Sequence, residues 1–340
     1  MSTARASARC IFRVFSPRAR IFLIFFGNLW KKREAYAIIH SEIATVRPAD
    51  RKEEPRMYHT PVQKRVLTVE DVSCFGKCST TVALPILSAM GHETVILPTA
   101  ILSTHTGGFT GYTVRDLTDD IQPISEHWKK TGIGFDCIYT GYLCKGRQVA
   151  LVSELIDRVS DENTLLVVDP AMADNGKFYW GFDPDHAADM MKLCKKSAVA
   201  TPNVTEACFM LGEEFPANGY DRAYIDGLIG RLTKAGCRSV VLTSVNCDGK
   251  YGVVGYDADK KEIFSYFHER IDAPIHGTGD VFTSVMVGHI LSGKPLETAS
   301  RLAADYVRET VKVTFPYLSE HPYGLLFEKT IGKLIPKDGE

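Results

Sequence analysis

Five residues, His276-Gly277-Thr278-Gly279-Asp280, have the types and spacing to move a phosphoryl group. They lead into an apolar run, Val281 to Gly288, that reads as a helix. The first N–H groups of a helix have no intrahelical partner and attract anions such as phosphate. Glycines at such a turn let the backbone approach that anion closely. A carboxylate beside phosphate gains nothing as a binder, because like charges repel. Asp280 makes sense as the base that takes a proton from an attacking hydroxyl. Taken alone, the segment reads better as a glycine turn whose aspartate favours the helix dipole. The remaining polar clusters tip the balance.

Asn203-Val204-Thr205-Glu206 places an amide and a carboxylate on one side of a first helical turn. They could hold the water shell of Mg²⁺, or form a capping box in which Glu206 returns to the cap N–H. By itself the motif favours the cap; beside the Gly-Thr-Gly-Asp turn it favours the metal. Asp169-Pro170 and Asp174 follow a buried-type strand and suit either a metal corner or a tight turn. Thr201 precedes the Asn203 motif, and Thr243-Ser244 could offer hydroxyls to nucleotide phosphates. Ser103-Thr104-His105-Thr106-Gly107-Gly108-Phe109-Thr110-Gly111-Tyr112 is a donor-rich loop that could close over a small aromatic ring, and Tyr142 could stack on a ring or cap a strand end. His105 is given no acid–base role. No G-x-x-x-x-G-K-[ST] and no G-x-G-x-x-G opens a first helix, which argues against P-loop and common dinucleotide-binding folds.

These residues need a scaffold. Strand-like runs are expected at 65–69, 94–97, 136–139, 164–168, 198–200 and 239–242, with a late hairpin at 251–256 and 262–268. Helical spacing is expected at 80–90, 116–130, 145–159, 184–195, 203–211, 221–234 and from 280 onward. Alternation with continuously apolar strands predicts an α/β three-layer sandwich: a mostly parallel central sheet flanked by helices, with an antiparallel edge hairpin. Ligands in such sheets bind beyond the carboxyl ends of the strands. The polar residues named above all follow predicted strands or open predicted helices.

Bulk properties narrow the class. The chain has 340 residues, is 45% hydrophobic and carries a formal charge of −1, so it has no electrostatic footprint for nucleic acid. Nine scattered cysteines without a C-x-x-C pair argue against a disulfide framework or zinc site. Cys74 and Cys78 read as small residues packed near the first turn. Residues 1–60 stand apart: no acidic residue precedes Glu34, and Ile21 to Trp30 is too short to cross a bilayer. This basic leader, expected to be disordered or outside the fold, reads as a transit peptide or as a stretch upstream of a start at Met57. One domain, 61–335, is expected, with no membrane partner and a cytoplasmic location, or an organellar one if the leader is a transit peptide.

Together the motifs resemble the ribokinase-like superfamily and, within it, the pyridoxal/pyridoxamine (vitamin B6) kinases, over roughly residues 64–315. Thr278-Gly279-Asp280 looks like that superfamily's anion hole and catalytic aspartate. Asn203-x-x-Glu206 looks like its N-x-x-E metal motif, and Ser103-Thr104-His105-Thr106 like the B6 kinases' S-N-H-T loop. Thr140-Gly141-Tyr142 and Asp169-Pro170 look like further B6-kinase segments. Glu70-Asp71-Val72 departs from the family's Q-S-H stretch, and Thr104 from its asparagine.

The resemblance implies a ribokinase-like fold without a large lid domain. It implies ATP-dependent phosphorylation of the 5'-hydroxymethyl group of pyridoxal, pyridoxamine or pyridoxine, with Mg²⁺, K⁺ as an option, and a homodimer. Asp280 would be the base and Gly277, Thr278 and Gly279 the oxyanion donors. Asp169, Thr201, Asn203, Glu206, Thr243 and Ser244 would serve ATP–metal, with Asp174 and Glu206 nearest the metal. Asp71, Ser103, His105, Thr106, Gly107 and Tyr142 would surround the vitamer. The alternatives are a hydroxymethylpyrimidine kinase of thiamin synthesis and a non-catalytic B6 or nucleotide binder.

Overall fold

The computed structural model describes residues 62–336 apart from 145, 248 and 272. The expected leader at 1–60, with its alternative start, and the first residue of the helix expected at 145–159 lie outside the described residues.

The strands assemble because their side chains are apolar toward both faces. On β1 (Arg65–Ser73), Val66 packs with one apolar cluster, while Leu67 and Val69 pack with the other. Such strands suit a sheet covered on both sides. β1 pairs in parallel with β2 (Glu93–Leu102) and β4 (Cys137–Thr140). Beyond β4 follow β5 (Leu165–Val168), β8 (Val199–Ala200) and β9 (Ser239–Cys247), all parallel. The antiparallel pair β10 (Lys250–Asp257) and β11 (Glu262–Glu269) closes one edge, as the sequence predicts. At the other edge β3 (Val114–Asp116) runs antiparallel to β2. Among the described residues the sheet order is β11-β10-β9-β8-β5-β4-β1-β2-β3.

Helices α1 (Thr80–Ala89), α7 (Thr278–Leu291) and α8 (Leu296–Thr314) cover one face. The other face carries α2 (Thr118–Thr131), α3 (Arg147–Val159), α4 (Pro184–Lys196), α5 (Val204–Met210) and α6 (Arg222–Ala235). The result is the expected three-layer arrangement, and β3 is too short to form a lid domain.

β2 runs to Leu102, beyond the expected 94–97, and two further strands extend past polar residues. Glu70 and Asp71 lie inside β1, because pairing with β2 resumes after an irregularity, at Val72–Ile101 and Ser73–Leu102. Thr243 and Ser244 likewise lie inside β9, at a register shift against β10. In both cases the backbone ladder continues past polar side chains, so polarity marks the site and not the strand end. β3 and the small hairpin β6 (Ala173–Asp174) and β7 (Lys177–Phe178) are too short to leave a periodic signal.

Candidate active site

The first turn of α7 is held by contacts that only glycine permits at position 277. Gly277 has φ +80°, and a Cβ there would lie 2.1 Å from the Lys77 carbonyl oxygen. That geometry leaves the N–H groups of Thr278, Gly279 and Asp280 at a helix start, where no intrahelical acceptor exists. The Ser79 N–H donates to Asp280 Oδ2 at 3.0 Å and fixes the carboxyl group. Burial, then the neighbouring Asp71, raise the Asp280 pKa to about 6. The group is therefore mainly ionised at neutral pH yet more basic than an ordinary aspartate, as a general base requires.

Asp169 extends from the end of β5 toward the same turn. Thr283 donates to Asp169 Oδ2 at 3.1 Å, which leaves the Thr201 hydroxyl, 3.2 Å from that of Thr283, to donate in turn. A Cβ on Gly279 would lie 3.9 Å from Asp169 Oδ2, so the anion-binding turn and this carboxylate are adjacent. Burial, then Asp280, push the Asp169 pKa upward.

Asn203 and Glu206 form a complete capping box. Asn203 Oδ1 accepts the Glu206 N–H at 2.9 Å, and Glu206 Oε2 accepts the Asn203 N–H at 2.8 Å. Glu206 Oε1 takes the Met172 N–H at 3.0 Å. The capping reading is thus realised, and both Glu206 oxygens already hold backbone donors. Burial, then Asp169, raise its pKa. Asp174 is exposed at its surface and accepts two bonds from Asn175; burial of its carboxyl group raises its pKa, and the Asn175 N–H and then His276 lower it.

Among the described residues no three His, Cys, Asp or Glu side chains stand close enough to enclose a metal. Mg²⁺ ordinarily takes one or two carboxylates and completes its shell with water and phosphate oxygens. Asp169, Asp174 and Glu206 fit that pattern as partial ligands or as acceptors for bound water. Thr243 joins this corner through a parallel bridge to Asn203 and an N–H bond to the Pro202 carbonyl at 3.0 Å. Ser244 adopts φ +59°, a left-handed conformation that is strained for serine.

On the substrate side, buried Asp71 accepts the Ser73 hydroxyl at 2.9 Å. Burial is the largest cause of its raised pKa. Tyr142 is partly buried, its ring 5.3 Å from Phe182, and Asp71 is among the charges that raise its pKa after burial. His105 is buried, with Nδ1 accepting the Gly107 N–H at 3.1 Å and Nε2 lying 3.1 Å from the Tyr323 carbonyl. This pattern makes Nε2 the protonated nitrogen; burial lowers the ring's pKa, so His105 braces the loop as a neutral group. Ser103 ties the loop's ends together by accepting the Thr113 N–H at 2.9 Å. Thr106 is half-buried, and Gly107 packs under the His276 ring.

Other side chains gather here to which the sequence assigned no role. Glu70 is fully buried with neither carboxylate oxygen hydrogen-bonded, and it presses on Gly141, where a Cβ would come 3.0 Å from its Cγ. Burial, then Asp280, Asp71 and Asp169, raise its pKa well above the ordinary value. Cys78 sits beside Gly277, its Sγ 3.6 Å from where a Cβ would stand. His276, read only as the start of the glycine turn, contacts the substrate loop. A cleft of about 940 Å³ opens at the other end of α7, lined by His289, Lys294 and Arg308. It contains none of these carboxylates, so side-chain chemistry and not cavity size locates the site.

A glycine turn at a helix start, a carboxylate beside it and acidic strand tips on a mostly parallel sheet define a ribokinase-like α/β protein. The sequence pattern of the phosphomethylpyrimidine kinase family matches residues 84–323, and the chain belongs to that family. A solved Bacteroides thetaiotaomicron structure, provisionally designated a phosphomethylpyrimidine kinase, is 35% identical, with a TM-score of 0.78 over 84% of this chain and 98% of that one. A second crystal form of that protein contains pyridoxal. Pyridoxal kinase from Lactobacillus plantarum is 27% identical, with a TM-score of 0.73 over 80% of this chain and 96% of that one. The pyridoxine/pyridoxal/pyridoxamine kinase of Bordetella avium is 26% identical over 75% of this chain and 86% of its own length.

Proposed function

We propose that the protein is an ATP-dependent kinase that phosphorylates the hydroxymethyl group of a B6 vitamer. One observation carries the reading: Asp280 is held by the Ser79 N–H in the same helical turn that presents free N–H groups to an anion. A carboxylate placed there is a proton acceptor beside a phosphoryl group.

In this account the ATP phosphates lie against the N–H groups of Thr278 and Gly279 and the hydroxyls of Thr243 and Ser244. Mg²⁺, when bound, neutralises charge on the phosphates, with Asp169 and Asp174 as partners and Glu206 and Asn203 acting through water. The vitamer ring occupies the space between Asp71, Thr106 and Tyr142. Its hydroxyl oxygen attacks the γ-phosphorus while Asp280 takes the hydroxyl proton, the bond from that phosphorus to the β–γ bridging oxygen breaks and ADP leaves, and the helix N-terminus stabilises charge on the transferred oxygens. The loop 102–112 excludes water from the transfer.

The same reading includes a single catalytic domain at 61–335, K⁺ as an optional activator and a cytoplasmic location. Among the described residues no helix is long and apolar enough to cross a membrane. A homodimer is part of the proposal, supported by exposed Leu84, Ile96, Ile101 and Val114 on α1, β2 and β3.

Hydroxymethylpyrimidine is the second candidate substrate, favoured by the family match and by the carboxylate of Asp71, which can accept a bond from an amino group. Coupled measurement of ADP formation with pyridoxal, pyridoxamine, pyridoxine, hydroxymethylpyrimidine and ribose decides between them. Turnover of a B6 vitamer at least tenfold above the pyrimidine is expected. Binding of vitamer and nucleotide without ADP formation would instead identify a non-catalytic binder.

A further inference from the structure

We propose that His276 is a positioning residue that makes binding of the ring-bearing substrate depend on the nucleotide's phosphates. This rests on the kinase reading and extends it to a side chain with no part in the proton transfer.

His276 belongs to the phosphate turn by sequence and to the substrate loop by contact. It immediately precedes Gly277, whose backbone is wedged against the Lys77 carbonyl. Its ring lies so close over Gly107 that a Cβ at 107 would stand 2.6 Å from Nδ1 and 2.8 Å from Cγ and Cε1. The ring therefore rests on the loop backbone, with no side chain between. Gly107 continues the chain of contacts: its N–H donates to His105 Nδ1, and His105 reaches the Tyr323 carbonyl. The His105 ring fills the space over Gly76, where a Cβ would be 2.0 Å from Cδ2. The two histidine rings lie 5.7 Å apart.

Motion along this line has little slack. The turn cannot shift toward the Lys77 carbonyl, and the loop cannot settle onto His276 without displacing the ring. A phosphate that orders residues 277–280 thereby orders His276, and an ordered ring fixes where Gly107 and its neighbour Thr106 lie. The coupling is reciprocal: substrate that seats the loop also steadies the turn. Close packing on two glycines is what makes the link stiff, because any added side chain would have to move first.

The test is calorimetric titration of pyridoxal into wild-type protein, His276→Ala, Gly107→Ala and the double variant, each with and without a non-hydrolysable ATP analogue and Mg²⁺. Wild-type protein should bind pyridoxal at least about fivefold more tightly with the analogue present, the lower end of ordinary coupling between sites. In His276→Ala that ratio should fall to near one. Gly107→Ala should lose pyridoxal affinity, and adding His276→Ala should restore most of it, because the ring that the new methyl meets is gone. Coupling that persists in His276→Ala, or a Gly107→Ala loss that the second change leaves untouched, overturns the assignment. Wild-type protein that binds the analogue but no pyridoxal overturns the B6-vitamer reading and this inference with it.

Discussion

Replacing Asp280 by asparagine should destroy activity and stabilise the fold at the same time. The side chain is nearly isosteric, and its amide oxygen can still accept the Ser79 N–H. What disappears is a carboxyl group whose pKa rises from 3.8 to about 6, chiefly through burial and then through Asp71. At about 1.4 kcal/mol per unit this shift corresponds to roughly 3 kcal/mol. Partial exposure of the residue trims that to about 1–3 kcal/mol.

The sign follows from the proton. Below pH 3.8 the group is neutral in folded and unfolded chains alike and costs nothing. Between 3.8 and about 6 the unfolded chain releases its proton first, so native stability falls as pH rises. Above about 6 the penalty is constant. Thermal melts of wild type and Asp280→Asn should therefore separate progressively across that interval, with the variant higher by roughly 2–10 °C at neutral pH. Its kcat should fall by about 10²–10⁴-fold, the usual worth of a positioned base, while binding of nucleotide survives. In wild type, kcat/KM should drop about tenfold per unit below pH 6 as Asp280 of the free enzyme is protonated. A variant that keeps kcat within tenfold of wild type removes Asp280 as the base. Superimposable melts at pH 7 would show that its burial carries no cost.

Gly277→Ala should cost stability and activity together, because the new methyl meets the Lys77 carbonyl at 2.1 Å; a fall in melting temperature with loss of nucleotide affinity is the expected result. Glu70→Gln should stabilise the protein increasingly above about pH 4.5, because the buried, unpartnered acid must hold a proton that the unfolded chain has already released. Urea unfolding of both forms at pH 5 and pH 7.5 checks the trend, and equal differences at the two values would refute it. Glu206→Gln should raise the Mg²⁺ concentration needed for half-maximal activity, and it should also weaken the cap, since an amide cannot accept the Asn203 and Met172 N–H groups through both of its polar ends. An unchanged Mg²⁺ titration would leave Glu206 with the cap alone.

Sequence by itself determined the class of architecture, because strands apolar toward both faces and helices with one apolar side can bury themselves only in layers. It also offered the candidate residues for the chemistry. Gly277, Gly279 and Asp280 announce an anion turn by type and order, and Asp169, Asn203 and Glu206 follow strands where ligands gather. Tertiary structure decided what those groups do to one another. Glu206 reads as a cap by its own motif and as a metal group beside the glycine turn, until both its oxygens are seen to hold N–H donors. His105 becomes a neutral brace only once the Gly107 N–H and Tyr323 carbonyl, 218 residues away from it, are in place. The proton affinity of Asp280 depends on burial and on Asp71, more than two hundred positions earlier. Glu70 and His276 matter through what they touch across the sheet ends. Local pattern fixes the preferences of a segment, whereas charge, desolvation and contact depend on distances that only the closed fold sets.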